Sequence, residues 1–179
     1  LKELIDLAGG EKYPPHFIEG SLKFSPYLRE VMTLGGKERP YVAAMIAIDF
    51  ENVGRWAEKH GLVYTTYADL SQKPDVYRLV QQDIERVNKT LPPAARVKRF
   101  VNMHKEFDAD ENELTRTRKL RRRFLEEKYR DMIEAIYGKQ KKVVMRATVK
   151  YQDGREGVLE TPVSIMTLET GDKTEAAPS

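Results

Sequence analysis

The sequence predicts an α+β domain in which a small sheet packs against helices and a β-hairpin extension follows towards the C-terminus. Three observations support this prediction. Residues 41–48 form an almost fully apolar run, which is typical of a strand buried on both faces of a sheet. Apolar residues recur at helical spacing after Pro74, and residues 142–151 alternate as in a strand.

Turn and cap residues mark the elements of the first hundred residues. Gly9-Gly10, followed by two prolines, predicts a loop. Asp49 is a predicted helix N-cap, and Gly61 is a predicted stop for the same helix. Pro74 is a favoured first residue for the next long helix. The expected elements are a helix over 16–24, strands over 31–34 and 41–48, helices over 51–60 and 74–91, and a strand over 97–103.

The second part of the chain begins with an acidic loop over 106–114. A single apolar stripe then predicts one long helix over about 118–137. Asp153-Gly154 is a hairpin turn signal between strands over 142–151 and 157–168. We expect the polar residues from Gly171 onwards to be disordered.

The composition excludes several classes of protein. The chain has 179 residues, of which 40% are hydrophobic and 33% charged, so it suits one globular domain with an appendage. It contains no cysteine, which rules out disulfides and thiolate zinc sites and fits a reducing compartment. Nowhere does it contain the run of about 20 apolar residues that spans a bilayer.

The formal net charge of +3 is too small to predict a nucleic-acid partner, but basic residues are concentrated in one segment. Local pattern favours a solvated basic face there, although a nucleic-acid helix is a second interpretation. The aromatic and base-reading residues that usually accompany such a helix are not clustered. The basic residues are Arg116, Arg118, Lys119, Arg121, Arg122, Arg123, Lys128 and Arg130.

The sequence contains no complete active site of its own. His16, His60 and His104 lack metal-ligand spacing, so we expect no metal site. Neither a phosphate-binding loop nor a nucleophile elbow is present. The carboxylates within 108–113 are best explained as a solvated acidic loop. The chain opens at Leu1 within a strand-like or linker segment, and we therefore expect it to be part of a longer protein.

Two segments together carry a resemblance to a known family. Residues 7–19 fit the pattern L-A-x-G-E-x-x-x-P-x-x-I-E, although local pattern alone favours a structural turn. Residues 114–122 are similar to L-T-x-T-x-K-x-[KR]-R, with Arg116 where proline is common. S-P-Y at 25–27 and R-P-Y-x-x-A-x-I at 39–46 lie between them. Over residues 1–138 the chain thus resembles the C-terminal domain of AMP-forming long-chain fatty acyl-CoA synthetases, in the adenylate-forming superfamily.

The resemblance implies a two-step ligase. ATP and a fatty acid give an acyl-adenylate and pyrophosphate, and the thiol of CoA then displaces AMP. In this family a large N-terminal domain holds ATP, Mg²⁺ and the acyl chain, and the C-terminal domain rotates between the steps. The isolated 179-residue chain is accordingly predicted to be inactive, with the N-terminal adenylation domain of the same polypeptide as its partner.

The resemblance also assigns roles to individual residues. Lys119 would be the catalytic lysine that bridges the carboxylate and α-phosphate oxygens during adenylation. Gly9 and Gly10 would line the channel for CoA, with Glu11 and Lys12 beside the adenylate and Lys2 at the hinge.

The implied organisation is a mobile lid domain over 1–138, a hairpin extension over 139–170 and a tail over 171–179. We expect a cytoplasmic protein, in which the basic residues allow peripheral contact with a membrane, and no nucleic-acid partner. Two alternatives stay open at this point. One is a basic, helix-led binding module for nucleic acid or acidic lipid, and the other is a related ligase for a different carboxylic acid.

Overall fold

A mixed five-stranded sheet forms the centre of the computed structural model, which describes residues 3–150 and 152–168. A separate two-stranded sheet precedes it. The elements in chain order are β1 (Ile5–Asp6), β2 (Lys12–Tyr13), α1 (Pro15–Leu22), β3 (Leu28–Leu34), β4 (Val42–Ile48), α2 (Phe50–Lys59), α3 (Tyr67–Ser71), α4 (Pro74–Asn88), β5 (Val97–Asn102), α5 (Arg122–Lys128), α6 (Arg130–Tyr137), β6 (Lys142–Lys150) and β7 (Glu156–Thr167).

Strand β4 lies inside the sheet, and all seven of its residues are buried. The strand order is β3-β4-β5-β7-β6, in which only β4 and β5 run parallel. Alternate residues of β4 face two different cores, as the pleat of a strand requires. One core contains side chains of α1, α2 and α4, and the other contains side chains of α5 and α6. The predicted strand with two buried faces is therefore confirmed.

The predicted start of α2 is also confirmed, because the Asp49 carboxylate accepts a hydrogen bond from the Asn52 amide at 2.9 Å. Pro74 is the first residue of α4, as its fixed φ favours. The short helix α3 was not predicted. Thr66 caps it by accepting the Asp69 amide at 3.1 Å, so the signal for this helix is the T-x-x-D spacing at its start.

The single helix predicted over 118–137 is wrong in two respects. Residues 118–121 belong to a turn, in which Arg118 has a left-handed φ of 64°. The remaining residues form α5 and α6, which meet at Tyr129, where the backbone leaves the helical region (φ −105°, ψ 26°). The Tyr129 hydroxyl donates a 2.5 Å hydrogen bond to Glu113, so its side chain is tied to a neighbouring segment at the break.

The predicted hairpin is confirmed, and it joins the central sheet. Strand β7 pairs with β5 through residues 165–167, and β6 forms the outer edge beyond β7. Gly154 in the connecting turn has a φ of 88°, which favours glycine. The tail predicted over 171–179 lies outside the described residues, and the domain boundary at 138/139 stays a prediction.

Candidate functional site

The loop of residues 7–12 is a tight turn that joins β1 to β2 and includes Lys12, the first residue of β2. The Leu7 amide donates to the Glu11 carbonyl at 2.7 Å, and the Gly10 amide donates to the Leu7 carbonyl at 3.0 Å. Buried Leu7 anchors one end, and residues 8–12 are exposed. The Lys12 ammonium pairs with Asp6, and this hydrogen bond holds the pKa of the Asp6 carboxyl below its ordinary value.

The two glycines of this loop meet different requirements. Gly10 has a φ of 90°, and a Cβ added there would have no atom within 4 Å. Glycine is therefore favoured at this position by the backbone conformation and not by a lack of space. A Cβ on Gly9 would lie 2.6 Å from a carboxylate oxygen of Glu11, an exposed side chain that can move away. Within this domain alone, neither glycine is therefore required for packing.

Lys119 lies in a second tight turn, which closes between Leu114 and Leu120 through an antiparallel bridge. The Thr115 amide donates to the Lys119 carbonyl at 2.8 Å, and the Lys119 amide donates to the Thr115 hydroxyl at 3.0 Å. Leucine and threonine in the L-T-x-T-x-K pattern thus build the turn. The Lys119 side chain is exposed, and no carboxylate among the described residues pairs with its ammonium.

The acidic loop before this turn differs from the prediction, because Glu113 is not solvated. Its side chain is fully buried and forms ion pairs with Lys105 at 2.6 Å and with Lys128 at 2.7 Å. Tyr129 and the Asp108 amide donate two further hydrogen bonds, at 2.5 and 2.9 Å. Burial alone would raise the pKa of Glu113, but these side-chain hydrogen bonds outweigh it and lower the pKa.

His104 lies beside this cluster, with its ring centre 6.4 Å from that of Tyr129. The side chain is buried, and its Nδ1 atom has no hydrogen-bond partner among the described residues. Burial lowers the pKa of His104 to about 4, and the positive charge of Lys105 adds to that effect. The sequence contained no signal for this buried, neutral histidine.

Glu19 and Arg122 connect the two motif segments across the free edge of β3. The Glu19 carboxylate accepts the amide and the hydroxyl of Thr33, at 2.8 and 2.7 Å, and pairs with the Arg122 guanidinium. The last glutamate of the first motif and an arginine after the Lys119 turn are therefore structural partners.

Several side chains of the predicted basic face form ion pairs or hydrogen bonds within the chain. Arg122 pairs with Glu19, and Lys128 pairs with both Glu111 and Glu113. Arg121 donates to the Asn112 carbonyl at 3.1 Å. These side chains are not a continuous row of free cations.

The residues that anchor the two candidate loops pack on different sides of the sheet. Leu7, the first residue of the loop of residues 7–12, and Tyr13, which follows the loop, pack in the core on one side of the sheet. Leu114 and Leu120, which close the Lys119 turn, pack in the core on the other side. Burial raises the pKa of Tyr13 to about 12, as expected for a phenol within a core. Lys2, the predicted hinge residue, lies outside the described residues.

Within residues 3–150 and 152–168, no group of three histidine, aspartate or glutamate side chains could hold a metal ion. In that same part, every helix is too short or too polar to cross a membrane.

Solved structures with a similar fold identify the class of domain. The chain resembles the adenylation domain of a carboxylate reductase from Mycobacterium chelonae, with a TM-score of 0.58 and 26% identity over 75% of this chain and 19% of that one. A carboxylic acid reductase didomain from Segniliparus rugosus gives a TM-score of 0.60 at 17% identity, over 76% of this chain and 17% of that one. The fold is thus that of a small domain within adenylate-forming enzymes.

The family itself follows from the sequence comparison. The model of the AMP-binding enzyme C-terminal domain matches residues 2–141, and the chain belongs to this family. Among curated proteins, the long-chain-fatty-acid–CoA ligase FadD15 of Mycobacterium tuberculosis is 29% identical over 140 residues, which are 78% of this chain and 23% of the relative. The long-chain-fatty-acid–CoA ligase ACSBG1 of Bos taurus is 31% identical over 161 residues, covering 79% and 22%. The chain spans about a quarter of the length of these relatives.

Proposed function

We propose that this chain is the C-terminal domain of a long-chain fatty acid–CoA ligase. The longer protein would join a fatty acid to AMP, with release of pyrophosphate, and would then transfer the acyl group to the thiol of CoA. An N-terminal domain would hold ATP, Mg²⁺ and the acyl chain. The similarity to curated ligases supports the fatty-acid substrate, and the match of the family model supports the role of a C-terminal domain.

The observation that carries the proposal is the position of Lys119, exposed on a turn that hydrogen bonds between Thr115 and Lys119 close. Adenylation moves negative charge onto phosphate oxygens while the fatty-acid carboxylate attacks. An ammonium that pairs with no carboxylate among the described residues is available to contact both groups. Its flexible stem lets it follow the charge as the bond to pyrophosphate breaks.

The loop of residues 7–12 would serve the second step. Exposed Gly9 and Gly10 offer no side chain, so the pantetheine arm of CoA could pass close to the backbone. Glu11 and Lys12 would lie beside the adenylate. Because the two loops pack on opposite sides of the sheet, one rigid domain can present each loop in turn by rotating.

The test uses the full-length enzyme and separates the two half-reactions. Lys119→Ala should slow adenylation, measured by pyrophosphate exchange with palmitate, by about 10²–10³-fold, as for loss of one charge-stabilising donor. Given preformed palmitoyl-adenylate, the same variant should form palmitoyl-CoA at near wild-type rate. Equal losses in both half-reactions would contradict the proposed role.

Arg116→Ala is the matched control, because it removes one positive charge from the same exposed turn. Arg122 is unsuitable for this purpose, since its guanidinium pairs with buried Glu19. Adenylation should be nearly unchanged in Arg116→Ala. If both variants lose adenylation equally, the turn contributes only a diffuse positive field and Lys119 has no specific role.

A further inference from the structure

The buried carboxylate of Glu113 stands at the base of the Lys119 turn. Its two oxygens receive four donors, namely the Lys105 and Lys128 ammonium groups, the Tyr129 hydroxyl and the Asp108 amide. These donors come from two segments, residues 105–108 before the turn and residues 128–129 after it. A fully buried charge is held in one place when every oxygen is satisfied in this way.

A ladder of backbone contacts runs from Glu113 to Lys119. The Glu113 carbonyl accepts the Arg121 amide at 3.0 Å, and the next step is the bridge between Leu114 and Leu120. The third step is the 2.8 Å bond from the Thr115 amide to the Lys119 carbonyl. The position of the lysine backbone is therefore set from the Glu113 end of the turn.

We propose that Glu113 is a positioning residue, which holds the turn so that the Lys119 ammonium meets the reacting groups during adenylation. This inference rests on the proposed function of Lys119. Glu113 is buried beneath the exposed turn, so it acts through Lys119 and does not touch substrate.

The negative charge matters as well as the shape. In Glu113→Gln one oxygen becomes an NH₂ group, which is itself a donor. It would face the groups that now donate hydrogen bonds to the carboxylate and could not accept from them. The ammonium groups of Lys105 and Lys128 would then keep only Glu111 as an acidic partner in this cluster. The base of the turn would loosen while the apolar core below it stays intact.

The first test is a double-variant cycle on adenylation in the full-length enzyme. Glu113→Gln should slow pyrophosphate exchange by about 10- to 100-fold, the order expected when a catalytic group is misplaced by about 1 Å. Palmitoyl-CoA formation from preformed palmitoyl-adenylate should stay near the wild-type rate. Since Glu113 acts through Lys119, adding Glu113→Gln to Lys119→Ala should cause little further loss.

The outcomes separate the inference from the proposed function. If Lys119→Ala leaves adenylation intact, the proposed function is wrong and this inference falls with it. If Lys119→Ala is impaired but the losses in the double variant multiply, only the inference about Glu113 is overturned. Equal loss in both half-reactions of Glu113→Gln would also overturn it.

Asp83→Asn is the control for general destabilisation. Asp83 is another buried carboxylate, which accepts Ser25 at 2.5 Å and pairs with Arg86 at 2.6 Å. It lies on α4, which packs in the core on the other side of the sheet from the Lys119 turn. Asp83→Asn should leave adenylation near the wild-type rate. A loss equal to that of Glu113→Gln would show that stability, and not positioning, explains the effect.

A second measurement needs only the 179-residue chain. In Glu113→Gln, amide hydrogen exchange in residues 115–121 should be faster by about tenfold or more, while α4 keeps its protection. Unchanged exchange in the turn would overturn the inference. If Glu113→Gln does not fold, Tyr129→Phe removes one of the four donors, and adenylation should fall by about two- to tenfold. Wild-type adenylation in that variant would overturn the inference too.

Discussion

Two charged side chains close the free edge of β3 at Thr33. Removing each of them should lower the free energy of unfolding by a different amount. The Thr33 amide and hydroxyl both donate to Glu19, while the Thr33 carbonyl accepts Arg122 at 3.5 Å. Thr33 is only 2% exposed, so water cannot replace a lost partner there. The edge therefore depends more on the carboxylate than on the guanidinium.

Glu19→Ala leaves two buried donors without an acceptor, and each such donor costs about 1–3 kcal/mol. After relaxation of the structure, we expect the free energy of unfolding to fall by about 2–4 kcal/mol. Arg122→Ala leaves both Thr33 hydrogen bonds to Glu19 in place. The Arg122 side chain is 34% exposed, so solvent partly screens its ion pair, and the buried Glu19 carboxylate keeps its two Thr33 donors. We therefore expect the unfolding free energy to fall by only about 1 kcal/mol in Arg122→Ala.

Urea unfolding of the 179-residue chain, followed by fluorescence of Trp56, the only tryptophan, measures both values. Glu126→Ala is the matched control, because Glu126 is an exposed glutamate on α5, and its unfolding free energy should change by less than about 0.5 kcal/mol. Equal losses for Glu19→Ala and Arg122→Ala would refute the asymmetry. A loss for Glu19→Ala no larger than the control would show that the edge is closed in another way.

Three further outcomes follow from the structure. Gly35→Ala should lower the unfolding free energy by about 1–3 kcal/mol, because the new Cβ would lie 2.5 Å from the ring of buried Tyr13; a urea midpoint equal to wild type would contradict this. The pKa of His104 falls from 6.5 to about 4 on folding, so the unfolded state binds more protons between these pH values. The unfolding free energy should therefore drop by about 3 kcal/mol as the pH falls from 6.5 to 4. His104→Gln should flatten this pH dependence in urea titrations, and an unchanged slope would refute the argument. In the full-length enzyme, Gly9→Leu should slow thioester formation more than adenylation, and it tests obstruction without the positive φ that complicates Gly10; equal loss would indicate a structural loop.

Elements with a local cause could be predicted from the sequence. The apolar run that became β4 is buried on both faces, and the Asp49 cap, Pro74 and the turn at Gly154 lie where their chemistry places them. Each of these signals depends on residues within a few positions of one another. The pairing of β7 with β5 could not be predicted in this way, because it joins residues that are about 65 positions apart.

The errors in the second half have a common origin in long-range contacts. Glu113 has acidic neighbours and reads as solvated, yet Lys105 and Lys128 meet it from both sides along the chain. The same cluster holds Tyr129 at the junction where the predicted long helix divides. No spacing rule connects these positions, since they become neighbours only when the turn before α5 folds back.

Exposure divides the motif residues into two groups, and this division bears on function. Glu19 closes the edge of β3, and Leu114 and Thr115 build the turn, so folding accounts for these members of the patterns. Folding gives no comparable reason for lysine at 119, because the turn uses only its backbone and the side chain is exposed. An exposed lysine on this turn agrees with our proposal that its ammonium acts on groups held outside this domain. That is why we assign the chemistry to Lys119 and its positioning to the buried carboxylate beneath it.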